Sequence, residues 1–261
     1  MNMHRSCCCT TVDAWHFINA KVVQLSLDMS GSISSTCGCT QEVKNWVEDL
    51  IEKMNAKFET LPEDEKPMIG VDMWDTEVIH SQLPTYDYDS VFDFVNAEYY
   101  PSGGTFFKPP IIHHNGVFDN YAVTEEGEGG LCCSVPPDDN PLDYVCDDVD
   151  SEQDCMDNYP GRDFQADIEV IEGVAVLFLS DGGSQDRDWA DGNYPGGGEP
   201  GWAPLLLEEG VKSAYYTIGL GVGADIAQLE LLSSSTGGHN FIASVEGDEL
   251  NFIVDTLLQQ S

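Results

Sequence analysis

Six consecutive apolar residues, Val174–Leu179 (VAVLFL), constrain the fold more than any other feature. A strand lying on a half-solvated sheet alternates apolar and polar positions. A strand with no polar position is covered on both faces, the environment of a central parallel strand. Parallel strands need long crossover connections, usually helical, so the chain must alternate strands with helices. Ala20–Leu27 (AKVVQLSL) reads as the first strand, with Gln24 and Ser26 as polar exceptions that need a buried partner. In Gln41–Phe58, Val43, Trp46, Val47, Leu50, Ile51 and Met54 recur at helical spacing, with Thr40 as the expected N-cap. Met68–Met73 is a second strand, Thr76–Leu83 a short antiparallel partner and Ser90–Tyr99 a short helix. Lys212–Leu220 and His239–Ala243 are the late strands, Ala224–Leu232 and Gly247–Leu258 the late helices. This rhythm predicts an α/β fold: a Rossmann-like, doubly wound, mostly parallel sheet with helices on both faces and one antiparallel edge strand.

The expected organisation is an N-terminal Cys-containing segment, 1–19, and one domain, 20–261, with two interruptions. The first, at about 119–173, is acidic and rich in Cys, Pro and Gly; the second, 182–201, is a Gly- and Pro-rich loop. Both are expected as loops, and loops of such length are functional or disordered. The start of the chain, Met1 to Cys9, carries no apolar segment of the signal-peptide kind.

Charge narrows the function. Asp and Glu number 47 against 10 Lys and Arg, a formal −37. Such a field repels phosphate backbones and anionic lipid, so neither nucleic acid nor membrane insertion is expected; it draws divalent cations and basic partners. The nine cysteines fall at 7–9, at 37 and 39, and at 132, 133, 146 and 155. Zinc-ribbon spacing is missing, and disulfides of an oxidising, extracellular or cell-surface compartment account for them better. Cys37 and Cys39 either close a strained ring or stay as thiols. The 7–9 group and the insertion both precede their strands, so disulfides between them are geometrically allowed.

The chemistry gathers at strand ends. The first strand runs into Asp28-Met29-Ser30-Gly31-Ser32, and Val174–Leu179 runs into Ser180-Asp181-Gly182-Gly183. Between them Ser102-Gly103-Gly104-Thr105 precedes Pro109 and Pro110, which suit the first turn of a helix. Ligands of open α/β sheets sit beyond the carboxyl ends of the strands. Carboxylates and hydroxyls gathered there suit a hard cation: Mg²⁺ first, with Mn²⁺ or Ca²⁺ also accommodated.

The order D-x-S-x-S, G-G-T, S-D-G resembles the metal-ion-dependent adhesion site of von Willebrand factor A domains, at Asp28, Ser30, Ser32, Thr105 and Asp181. Tyr216–Gly223 resembles the family's late strand and glycine turn, and Ser234–Phe241 the approach to its last strand. The resemblance covers about Ala20 to Leu258. It implies that Ser30 and Ser32 bind the metal directly, Thr105 directly or through water, and Asp28 and Asp181 mainly through waters. It leaves one position open for an acidic side chain of a partner, a protein or extracellular-matrix ligand.

Phe106, Arg187, Trp189 and Tyr194, with Trp202, are the expected rim of a partner surface, since aromatic residues and Arg concentrate at such sites. Phe107 belongs either to that rim or to the core. Asp147, Asp148, Asp150, Glu152, Asp154 and Asp157 lack the EF-hand pattern and read as a solvated loop. His113 and His114 read as structural or surface residues. The sequence holds no nucleophile elbow, P-loop or placed dinucleotide fingerprint, so catalysis is not expected. The expected function is divalent-metal-dependent binding and adhesion. The alternative is an accessory subunit of an intracellular ATPase-driven assembly or metal-insertion complex.

Overall fold

The computed structural model describes residues 20–133, 146–160, 162–181, 183–187, 201–207, 211–221 and 224–243. Trp189, Tyr194, Cys7, Cys8, Cys9 and the expected closing helix Gly247–Leu258 lie outside them. The elements in chain order are β1 (Ala20–Asp28), α1 (Thr40–Phe58), β2 (Met68–Trp74), β3 (Val78–Thr85), α2 (Tyr88–Glu98) and α3 (Lys108–Tyr121). There follow β4 (Val123–Cys133), β5 (Cys146–Val149), α4 (Glu152–Asn158), β6 (Asp163–Ser180), α5 (Trp202–Leu207), β7 (Ala214–Leu220), α6 (Ile226–Ser235) and β8 (Asn240–Ala243). None of the described helices is long and apolar enough to cross a membrane.

Contacts divide the chain into two compact units: Met1–Ala122 with Gly173–Ser261, and Val123–Glu172. In the larger unit the strand order is β3-β2-β1-β6-β7-β8. β1 pairs in parallel with β2 and with the Gly173–Leu179 part of β6, which pairs in parallel with β7, itself parallel to β8. β3 runs antiparallel to β2 at one edge. The sheet is therefore mixed α/β, six strands with one antiparallel pair.

Two apolar clusters cover the sheet. On one face Val23, Leu25 and Leu27 of β1 pack with Leu177 and Leu179 of β6 under α1 and α2. The six predicted apolar positions of α1 are all buried there. On the other face Val22, Val176, Phe178 and Tyr215 pack against Ile111 of α3, Trp202 of α5 and Leu229 and Leu232 of α6. Alternate residues of a strand serve opposite faces, and VAVLFL feeds both clusters, as an unbroken apolar strand must.

Three expectations fail locally. Thr40 is not the cap: α1 begins at Thr40, Cys39 stands before it, and no side chain caps it. Trp202 is no surface rim. Its indole has no exposure and packs 5.6 Å from the Phe107 ring. The acidic insertion is not a bare loop either. In the smaller unit β4 pairs antiparallel with β5 and with the Asp163–Glu172 part of β6. Ser151 caps α4 there by accepting from the Asp154 amide, and Cys132 is bonded to Cys155, Cα atoms 5.4 Å apart.

Candidate metal centre

β1 and β6 are neighbours in parallel register, so their carboxyl ends emerge side by side. Asp28 is the last residue of β1, and Asp181 follows the last residue of β6. Both carboxylates are buried, with Ser30 and Thr105. The Asp28 carboxylate accepts from the Ser30 amide at 2.7 Å and from the Ser180 hydroxyl at 2.7 Å. The Ser30 and Ser32 hydroxyls are 2.9 Å apart, and Ser32 donates to Asp181 at 2.8 Å. One bonded chain thus joins Asp28, Ser30, Ser32 and Asp181 across the two strand ends.

Thr105 arrives from a third loop held by backbone. The Gly31 amide donates to the Gly103 carbonyl at 3.0 Å, the Ser102 amide to the Met29 carbonyl at 2.5 Å, and the Gln185 amide to the Thr105 carbonyl at 2.9 Å. Gly103 turns with φ of +94°, which side-chain-bearing residues rarely adopt. Tyr99 supports the base of the site: its hydroxyl donates to the Asp28 carbonyl at 2.7 Å.

Electrostatics sets the state of this cluster. Burial pushes the Asp28 carboxyl up to about 7, against the bonds from Ser180 and Ser30 that lower it; the charge of Asp181 raises it further. Burial also raises Asp181, against the Ser32 bond. Two carboxylates are thus partly desolvated side by side, and the neighbouring charge acting on Asp28 is negative. Among the described residues, no group of three or more His, Cys, Asp or Glu is spaced to hold a metal. The cluster at these strand ends is instead built of two carboxylates, Asp28 and Asp181, joined by serine hydroxyls.

Of the expected rim, Phe106 and Arg187 lie among the described residues. Phe106 is partly exposed and its amide donates to the Asp75 carbonyl at 2.9 Å. Arg187 is partly buried, and its carbonyl accepts from the Ala203 amide at 3.2 Å. Phe107 belongs to the core, edge-on to Trp74 and Phe178. Cys37, the last residue of the helical turn Ile33–Cys37 that follows Ser32, is bonded to Cys39, Cα atoms 5.1 Å apart.

Two features were invisible in the sequence. Asp186 is 2% exposed and accepts from the Phe107 and Lys108 amides, both at 2.9 Å. Asp72 is fully buried and gathers Gln24 (2.8 Å), Ser26 (2.9 Å) and His114 (2.8 Å). It is the partner that the polar positions of β1 require, though Gln24 Oε1 has none among the described residues. Neither carboxylate is marked by a local pattern; an apolar setting, I-G-V-D-M-W, was the one available hint for Asp72.

Neither a protein-family model nor a curated protein matches the chain. Solved structures do. Proximal thread matrix protein 1 from the mussel byssus is 15% identical with a TM-score of 0.53, over 93% of this chain and 48% of that one. A further structure of it, described as having a zinc-occupied MIDAS motif, gives 14%, 0.53, 93% and 48%. A von Willebrand factor type A protein from Catenulispora acidiphila gives 10% identity and a TM-score of 0.52, over 92% and 43%. An aerotolerance-related membrane protein from Bacteroides fragilis gives 14% and 0.51, over 92% and 97%. The chain spans about half the length of the mussel protein. Topology and these likenesses together give the chain a von Willebrand factor A-like Rossmann fold.

Proposed function

We propose that the chain is a binding module, not an enzyme, which holds one divalent cation at the ends of β1 and β6 and presents it to an acidic group of a protein or matrix partner. The single observation that carries this is the convergence of Ser30, Ser32 and Asp181 within hydrogen-bond distance, continued through Ser30 to Asp28. The donors are all oxygen, which suits Mg²⁺, Mn²⁺ or Ca²⁺. The buried pair Asp28 and Asp181 gains from a positive charge, which none of the described residues named as acting on either carboxyl supplies. Zinc in the corresponding motif of the mussel protein supports a divalent ion in this fold.

Ser30, Ser32 and Thr105 would hold the ion through their hydroxyls, with Asp28 and Asp181 around them. The ion would supply Lewis acidity toward an anionic ligand on a surface that is otherwise negative. Asp28 orients Ser30 through its amide, Tyr99 and Ser180 fix Asp28, and Asp181 orients the Ser32 hydroxyl. Phe106 and Arg187, with Trp189 and Tyr194, are the proposed partner contacts.

Calorimetric titration with Mg²⁺, Mn²⁺ and Ca²⁺ tests the reading. One saturable site in the wild type, lost in Asp28→Ala/Ser30→Ala, is expected. Binding that survives both substitutions places the ions elsewhere on this acidic chain and removes the reading.

A further inference from the structure

We infer that Asp186 is the positioning residue that latches the Thr105 loop to the Asp181 loop. Its role for the cation rests on the function proposed above; the latch itself does not. The start of α3 shows why a latch is needed. Helix starts leave amide donors unsatisfied. Pro109 and Pro110 have no N–H, and the Ile111 amide already bonds to the Phe107 carbonyl at 3.2 Å. Phe107 and Lys108 are left, and no side chain of the helix's own N-terminal segment caps them. The Asp186 carboxylate takes both, one oxygen each, from 79 and 78 residues away. An anion at a helix start also meets the positive end of the helix dipole.

The carboxylate is itself held. The Ser184 hydroxyl donates to Asp186 Oδ1 and accepts from the Asp186 amide at 3.2 Å. The Ser184 amide donates to Gln228 Oε1 at 3.1 Å, and Gln228 is bonded to Asp225, the cap of α6. On the far side, the Trp202 amide donates to the Asp186 carbonyl at 3.2 Å. The segment 183–187 is therefore tied to the starts of three helices. Between these ties, the Gln185 amide holds the Thr105 carbonyl at 2.9 Å. Thr105 lies two residues before one end of the latch, and Asp181 five residues before the other. The latch fixes how far the Thr105 hydroxyl stands from Asp181, so it sets whether a cation meets all three loops at once.

Asp186→Asn keeps the shape but turns one acceptor into a donor facing an amide. Hydrogen exchange of the metal-free protein reads the latch directly. Exchange in residues 102–108 is expected to rise about tenfold, the scale of losing a charged cap, while β7 and the end of α6 stay unchanged. Ser184→Ala, a milder change that leaves the carboxylate, is expected to give a smaller rise in the same residues. Mn²⁺ titration then reads the consequence, and the dissociation constant of Asp186→Asn is expected to rise about tenfold. Unchanged exchange at 102–108, or a rise shared by the whole domain, overturns the latch. Local loosening with an unchanged Mn²⁺ constant reduces Asp186 to a helix cap and overturns its positioning role. A wild type that binds no Mn²⁺ is a failure of the metal reading, and exchange still decides the latch.

Discussion

The Asp72 carboxylate and the His114 imidazole meet at 2.8 Å in an interior where neither has any exposure. An ionised carboxylate only accepts, so His114 Nε2 carries the proton of that bond, and Nδ1 shares a hydrogen bond of 2.6 Å with the Tyr215 hydroxyl. Hydroxyl, imidazole and carboxylate thus stand in a row inside the core, with Trp74 donating to Ser26 at 2.9 Å beside them. Burial by itself would raise the Asp72 carboxyl. The charge and bond of His114, the charge of His113 and the Gln24 amide outweigh it and hold Asp72 below the usual carboxylate range.

A depressed folded-state value contributes stability that is present above the unfolded-state value, about 3.9, and lost as pH falls through the folded one. Asp72→Asn is therefore expected to cost about 3 kcal/mol at neutral pH, the scale of breaking a buried pair. The gap from the wild type stays constant down to about pH 5 and closes only below about pH 4. Denaturant unfolding across this range checks it. A gap that closes near pH 6 would assign the effect to another group.

Gly103 lies against Asp75. A Cβ at residue 103 would run into the Asp75 carboxylate, and φ of +94° disfavours any side chain. Gly103→Ala is expected to cost about 1–3 kcal/mol and to weaken cation binding, because the Gly103 carbonyl holds the Gly31 amide between Ser30 and Ser32. Unfolding and Mn²⁺ titration of the same variant give the two numbers; an unperturbed variant would show that the loop accommodates a side chain freely.

What the sequence revealed was local in origin. The unbroken VAVLFL run announced a strand covered on both faces, and the helical spacing of Val43 to Met54 announced α1, because each pattern is written within one element. The short runs around Asp28, Thr105 and Asp181 each stand out within one loop, while only the fold brings Ser32 to Asp181. Asp72 and Asp186 did not stand out: their partners lie 42 to 79 residues away, and only the folded sheet brings them together. Gln24 announced that it needed a partner without saying which. The strands of Val123–Glu172 were hidden by glycines and carboxylates, residues that seldom favour strands. Trp202 was misread because its Gly- and Pro-rich surroundings suggest a surface loop, whereas Phe107 draws the ring into the core.

Cys132 and Cys155 are 23 residues apart in the smaller unit. Closing a loop of that size is worth about 3 kcal/mol. Cys132→Ser/Cys155→Ser is expected to open Val123–Glu172 to limited proteolysis and leave the sheet of the larger unit resistant. Equal cleavage of both units, or of neither, would contradict this.

One cation is proposed to sit at the carboxyl ends of β1 and β6. Crystals soaked in Mn²⁺ and measured at an anomalous wavelength test this most directly. One dominant anomalous peak, bounded by the Ser30, Ser32 and Thr105 hydroxyls, is expected. A dominant peak elsewhere, or none at saturating Mn²⁺, would contradict it.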